Sequence, residues 1–207
     1  VLRFMAVGLG YTLSIAAIAI TISFILGMLL ALARLSHLPF IRYPATLYIE
    51  TVRSLPLLLI IYFVFFGSNQ LIGVQFQPFT AGVIAISAFE SALVAEIIRA
   101  GILSVNRGVV EAAASQGLSS TQVLRYVRLP IALRRMTPAL VGQFISLLKD
   151  TSLTAVIGIL ELLRRGQIVS NRPPFDPIPV FILIALTYFV VNYSLSLFSR
   201  RLEERQT

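Results

Sequence analysis

Apolar positions fall into five long runs, separated by polar connections rich in arginine. A helix that crosses the hydrocarbon layer needs about 20 consecutive apolar residues. The first run, roughly 4–33, exceeds that length and predicts a span that tilts or protrudes. The second, roughly 55–72, opens with Pro56, a residue tolerated in a first helical turn. The third, roughly 79–98, contains Glu90 and Glu96. The fourth, roughly 138–160, is interrupted by Lys149 and Asp150, and the fifth, roughly 178–198, is free of charge. No internal repeat and no low-complexity tail is visible. The pattern predicts an all-α polytopic membrane protein in which 1–207 form a single transmembrane domain of five helices.

One long segment breaks the pattern. Gly108 to Arg135 is too polar to span, yet Glu111-Ala112-Ala113-Ala114 is strongly helix-forming. Gly117 follows, where a glycine ends a helix or lets the chain turn sharply. Ser119 or Ser120 is placed to cap a second helix over Gln122–Val127, and Leu129-Pro130 is expected to end it, because proline removes a backbone donor. The expectation is a pair of short surface helices over about 108–130. Their apolar residues Val109, Val110, Leu118, Val123, Leu124 and Val127 pack on the membrane domain or enter a partner's groove.

Composition agrees with the membrane reading: 57% of the chain is hydrophobic and 13% charged, against about 25% charged in soluble domains. The net charge of +8 then reports topology rather than nucleic-acid binding. With five spans, one side collects Arg34, Arg42, Arg53, Arg99, Arg107, Arg125, Arg128, Arg134, Arg135, Arg200, Arg201 and Arg205. The other collects Arg3, Arg164, Arg165 and Arg172. The bias places the N-terminus outside, the C-terminus in the cytoplasm, and the 108–135 segment on the cytoplasmic face. The run 4–33 is too long for a signal-peptide core and shows no cleavage site, and the start at Val1 predicts that a short N-terminal piece is missing or removed. Cysteine is absent and His37 is the single histidine, so neither thiolate chemistry nor a histidine-rich metal site is available. Gly8-Leu9-Gly10 lacks the lysine and strand context of a phosphate-binding loop, so the chain carries no nucleotide site of its own. Nucleophilic catalysis has no base. The expectation is a non-enzymatic chain that holds no metal or other cofactor.

Several strings resemble one family. Glu111-Ala112-Ala113, then Gly117, then Val127-Arg128-Leu129-Pro130, is similar to the EAA signature of permease subunits of bacterial ATP-binding-cassette importers, including the long spacing from glycine to Leu-Pro. Tyr48-Ile-Glu50-Thr-Val-Arg53-Ser-Leu-Pro56, Ala95-Glu96-Ile-Ile-Arg99-Ala-Gly101, Leu129-Pro-Ile-Ala-Leu-Arg134-Arg135 and Leu147-Leu-Lys149-Asp150-Thr151-Ser152-Leu153 resemble strings of its polar amino acid branch. The likeness runs from Gly8 to about Gln167. Departures are Arg53-Ser54-Leu55 in place of Arg-Gly-Thr, Asn106-Arg107 in place of Pro-Lys, and Glu90 and Leu93 at positions that commonly hold small or aromatic residues.

The resemblance implies a type I importer permease fold in the bacterial cytoplasmic (inner) membrane. Two permease subunits, identical or paired with a sister, would form the pathway. Separate ATPase subunits would hold ATP and Mg and dock on Glu111, Ala112, Ala113, Gly117, Leu118, Leu129 and Pro130. An extracytoplasmic substrate-binding protein or domain would deliver the amino acid. The alternatives are a secondary amino-acid transporter, or the permease of such an importer for another small polar solute.

Charges in the spans are costly, about 3 kcal/mol each on insertion scales, and so point inward. A zwitterion needs an acceptor for its ammonium and a donor for its carboxylate. Lys149, Asp150, Thr151 and Ser152 offer both, and Glu90 would favour a cationic substrate if it lined the pathway. Against this stands a structural pairing of Lys149 with Glu90. Glu96 with Arg99, and Glu50 with Arg53, are expected as local pairs. Two rival functions remain open: a secondary transporter, which should show inverted repeats, and a membrane scaffold, which has no need of Lys149 and Asp150.

Overall fold

The computed structural model describes residues 1–173 and 176–204, with Phe198–Glu204 described by backbone alone. Every regular element among the described residues is helical. α1 (Leu2–Leu35) lies along α5 (Pro78–Leu103), and this pair forms the centre of the molecule. Small residues let the two approach closely: Ala31, Ala92 and Ala95 are fully buried on the seam. A Cβ built on Gly27 would stand 2.6 Å from Val94 Cγ1 and 3.0 Å from the Ser91 carbonyl oxygen. In lipid, where apolar burial does not drive helices together, such close packing supplies much of the association.

The second apolar run is larger than its sequence suggests. α2 (Pro39–Ser54) precedes α3 (Leu57–Tyr62), a π turn (Phe63–Gly67) and α4 (Ser68–Ile72). The chain bends by 106° between Pro39–Ser54 and Leu57–Ile72. The bend falls at Leu55-Pro56: proline restricts the residue before it to extended backbone, and Leu55 sits at φ −96°, ψ 141°.

α6 (Arg107–Ser115) and α7 (Ser120–Val123) occupy the polar segment. The expected stop at Leu129-Pro130 does not occur. α7 passes through a π turn (Leu124–Arg128) into α8 (Leu129–Asp150), and a 3-10 turn (Thr151–Ile157) completes a single helical run over Ser120–Ile157. The wider π turn accommodates the proline ring, which would collide with the carbonyl four residues back in a regular helix. The fourth expected span, 138–160, is therefore displaced towards the N-terminus and ends at Gly158, whose φ is +87°. Pro138 lies inside α8 without breaking it. A further short helix, α9 (Leu162–Ser170), packs on α1 and on α10 (Pro177–Glu204). Four single helices, Leu2–Leu35, Pro78–Leu103, Ser120–Ile157 and Pro177–Leu197, are long and apolar enough to span a membrane, and the bent pair makes a fifth candidate. Arg205, counted above for topology, lies outside the described residues.

Candidate functional site

The polar segment is built by local rules. Asn106 Oδ1 accepts the Gly108 N–H at 2.8 Å and caps α6. The alanine run carries α6 to Ser115, and Gly117 reverses the chain at φ +85°, in the left-handed region that glycine enters without penalty. No side chain or backbone crowds that glycine, so its requirement is conformational. Ser119 and Gln122 form a capping box at α7, with Ser119 N–H donating to Gln122 Oε1 at 2.8 Å. The expected helix–glycine–helix turn is thus present. None of α6 is buried, and Glu111 is exposed and makes no ion pair among the described residues. Val123 is buried, whereas Val109 and Leu124 stay exposed. A hollow of about 260 Å³ opens between Val110, Ala114, Leu118, Val123, Leu124 and Arg128. The Arg128 Nε is buried without a hydrogen-bond partner among the described residues. Leu129 and Pro130 lie in the first turn of α8, so Glu111, Gly117 and the Leu-Pro pair belong to one corner.

At the other end of α8 the expected polar group is sorted by exposure. Lys149 is exposed, and Asp150 and Ser152 are half-buried. Thr151 is fully buried, and its hydroxyl donates to the Leu148 carbonyl at 2.7 Å, so it does not face an open pathway in this chain. Glu90 is also fully buried. Its Oε2 accepts from Gln143 Nε2 at 2.9 Å, while Oε1 has no partner among the described residues. The Lys149–Glu90 pair is not formed: Gln143 on α8 occupies Glu90 instead.

The membrane-edge charges combine differently from expectation. Arg34 bridges two acids, with Nη1 2.6 Å from Glu96 Oε2 and Nη2 2.5 Å from Glu50 Oε1. The local Glu96–Arg99 pair forms, with Arg99 Nε 3.0 Å from Glu96 Oε1. Glu50 does not take Arg53. That arginine points to Glu96 at 3.9 Å, because packing of α2 on α1 brings the closer guanidinium of Arg34 to Glu50.

A second polar node escapes sequence reasoning. Glu161 is fully buried and caps α9, accepting from Arg164 N at 2.6 Å, Leu163 N at 2.8 Å and Tyr188 Oη at 3.1 Å. Burial pushes its carboxyl above the ordinary carboxylate range, against the pull of these donors. Arg165, assigned to a surface loop by charge counting, is instead buried. It donates to the Leu160 carbonyl at 2.8 Å and to the Phe4 carbonyl at 3.2 Å, and its guanidinium lies 4.4 Å from the Phe4 ring centroid. Gly8 makes room: a Cβ there would meet Arg165 Cδ at 2.7 Å. A glutamate just before Leu162-Leu163 is a weak capping signal, and the Tyr188 partner, 27 residues away, leaves none.

Residues 23–207 match the family model described as binding-protein-dependent transport system inner membrane component. The chain is 47% identical to a probable glutamine ABC transporter permease protein of Bacillus subtilis (strain 168), over all of this chain and 95% of the relative. It is 36% identical to the glutamine transport system permease protein of Escherichia coli (strain K12), over 96% of this chain and 90% of the relative. Its fold superposes with a TM-score of 0.92, at 36% identity, on the crystal structure of an amino acid ABC transporter with histidines, covering 98% of this chain and 94% of that one.

Proposed function

This chain belongs to the binding-protein-dependent transport system inner membrane components and is a permease subunit of an amino-acid ATP-binding-cassette importer; we propose that it forms the pathway for a polar amino acid of the glutamine type. The observation that carries the mechanical part of the reading is the unbroken helical run over Ser120–Ile157. It joins the exposed α6 corner to Lys149 and Asp150 through the stretch from Ser120 to Asp150, roughly 45 Å at 1.5 Å per residue. A push on Glu111–Gly117 is thereby carried towards the polar end along one continuous helical run.

In this reading the ATPase subunits hold ATP and Mg and dock on α6, Gly117 and Leu118, with Leu129-Pro130 setting the corner's angle. Two permease subunits enclose the route. Asp150 accepts from the substrate ammonium, while Lys149 and the Ser152 hydroxyl donate to its carboxylate. Thr151 supports the turn rather than the ligand, and Glu90 holds the α5–α8 seam. A binding protein delivers substrate at the end where Phe4 and Arg165 meet, which is the outer end when the arginine-rich end faces the cytoplasm. ATP-driven closure below and opening above then alternate by rigid-body movement.

The test is uptake and ATP hydrolysis by the reconstituted complex across a panel of amino acids. Glutamine is expected to stimulate both, and Asp150→Asn to abolish uptake with assembly intact. Accumulation driven by an ion gradient without the ATPase would instead support a secondary transporter.

A further inference from the structure

Four features of α2 converge on one surface. First, its direction: it leaves the span that follows at 106°, so it runs close to the membrane plane when that span runs close to the normal. Second, its inner face is committed to the bundle. Ala45 and Ile49 are buried, and Tyr48 Oη donates to the Ala88 carbonyl at 2.9 Å. Third, the opposite face is apolar and uncovered: Phe40, Tyr43 and Leu47 are 72%, 65% and 69% exposed and fall on one stripe at helical spacing. Fourth, one flank between these faces is basic. Arg42 and Arg53 stand within about 20° of each other around the axis, but Arg53 lies about 16 Å further along it and faces Glu96, so Arg42 is the free cation of this flank among the described residues. The acid nearby, Glu50, is already held by Arg34. Arg42 forms no salt bridge among the described residues, and its guanidinium lies 5.3 Å from the Tyr43 ring centroid.

A helix with a bundle face, an apolar stripe and a basic flank fits the boundary between hydrocarbon and headgroups. We propose that α2 is an in-plane anchor whose apolar stripe enters the acyl boundary and whose Arg42 flank holds the phosphate of an anionic phospholipid. The proposal rests on the topology given under the proposed function, which puts this flank at the cytoplasmic leaflet. There an anionic surface attracts juxtamembrane arginines. The Arg34 bridge from Glu50 to Glu96 then connects the lipid-bound helix to α1 and α5.

The chain contains neither tryptophan nor cysteine, so each introduced probe is the permease's own and is read as the difference from the unsubstituted transporter. Phe40→Trp and Leu47→Trp are introduced separately, and the whole transporter is reconstituted in vesicles containing brominated phosphatidylcholine or brominated phosphatidylglycerol. Both introduced indoles are expected to be quenched, more strongly by the brominated phosphatidylglycerol. Arg42→Gln should reduce that preference about fivefold. Equal quenching by the two lipids overturns the headgroup site. No quenching overturns the membrane docking, and a disulfide between two Leu47→Cys copies would assign the face to a second permease instead. Two further readings separate the outcomes: ATP-dependent uptake without quenching sinks this proposal alone, whereas labelling of Gln116→Cys from outside intact cells inverts the topology beneath it.

Discussion

At the scale of single residues, Gly117 and Glu90 make opposite predictions. Gly117 holds φ +85° with open space around it, so a β-branched side chain meets a backbone penalty of about 1–2 kcal/mol and no clash. Gly117→Val is expected to lower the thermal unfolding midpoint of the bundle in detergent by only a few degrees while removing substrate-stimulated ATP hydrolysis. Unimpaired hydrolysis and uptake would show that the turn does not transmit motion. Glu90 is buried against Gln143. Glu90→Gln should therefore leave the discrimination between basic and neutral amino acids unaltered in competition uptake, and a shift in that ratio would return Glu90 to the pathway. Glu90→Leu strands the Gln143 amide and should cost about 1–3 kcal/mol in unfolding free energy. Gly117 and the Ser119 cap were legible in the sequence because each is set by neighbours within a few residues. Arg34 with Glu96, 62 positions apart, was not, and nearest-neighbour reasoning gave Glu50 the wrong arginine.

At the scale of elements, four of the five expected spans lie close to the observed helices, because a continuous apolar run has few alternatives in lipid. The fourth was misplaced for a physical reason, and the second carries more than expected. Pro56 opens Leu57–Ile72 as expected but also marks a bend, and what precedes it is an amphipathic helix that an apolar-run criterion passes over. Pro130 was taken as a stop, but a π turn widens the helix enough to admit its ring. The packing of α1 on α5 also makes a prediction. A methyl at Gly27 meets the Cβ and Cγ1 of Val94 and the backbone oxygen of Ser91, none of which is a freely moving tip. Gly27→Ala should destabilise the detergent-solubilised protein by about 1–3 kcal/mol. Adding Val94→Ala should recover part of that loss, since the Ser91 carbonyl remains in the way. Full stability in the single variant would show that the helices separate freely.

At the scale of the whole molecule, the two ends differ in character. Arg34, Glu50, Arg53, Glu96 and Arg99 gather at one end, and Phe4, Glu161, Arg165 and Tyr188 cluster towards the other. The asymmetry was readable as an arginine count, although Arg165 entered it wrongly as a surface charge. Gln116→Cys and Arg172→Cys test the orientation in intact cells with an impermeant thiol reagent. Labelling is expected at position 172 and not at 116, and the reverse would invert the proposed topology. The unbroken run from Ser120 to Ile157 carries one further consequence, for how such a chain tolerates changes of length. Along a continuous helical run, residue number fixes angular phase: one inserted residue turns everything beyond it by about 100° and lifts it by about 1.5 Å. An insertion between Val123 and Asp150 would swing Lys149 and Asp150 away from their heading relative to α6, whatever residue it added. The connection at 73–77 carries no such phase and should accept extra residues. Along this rod the count of residues, more than their identity, is the quantity that selection has to hold constant.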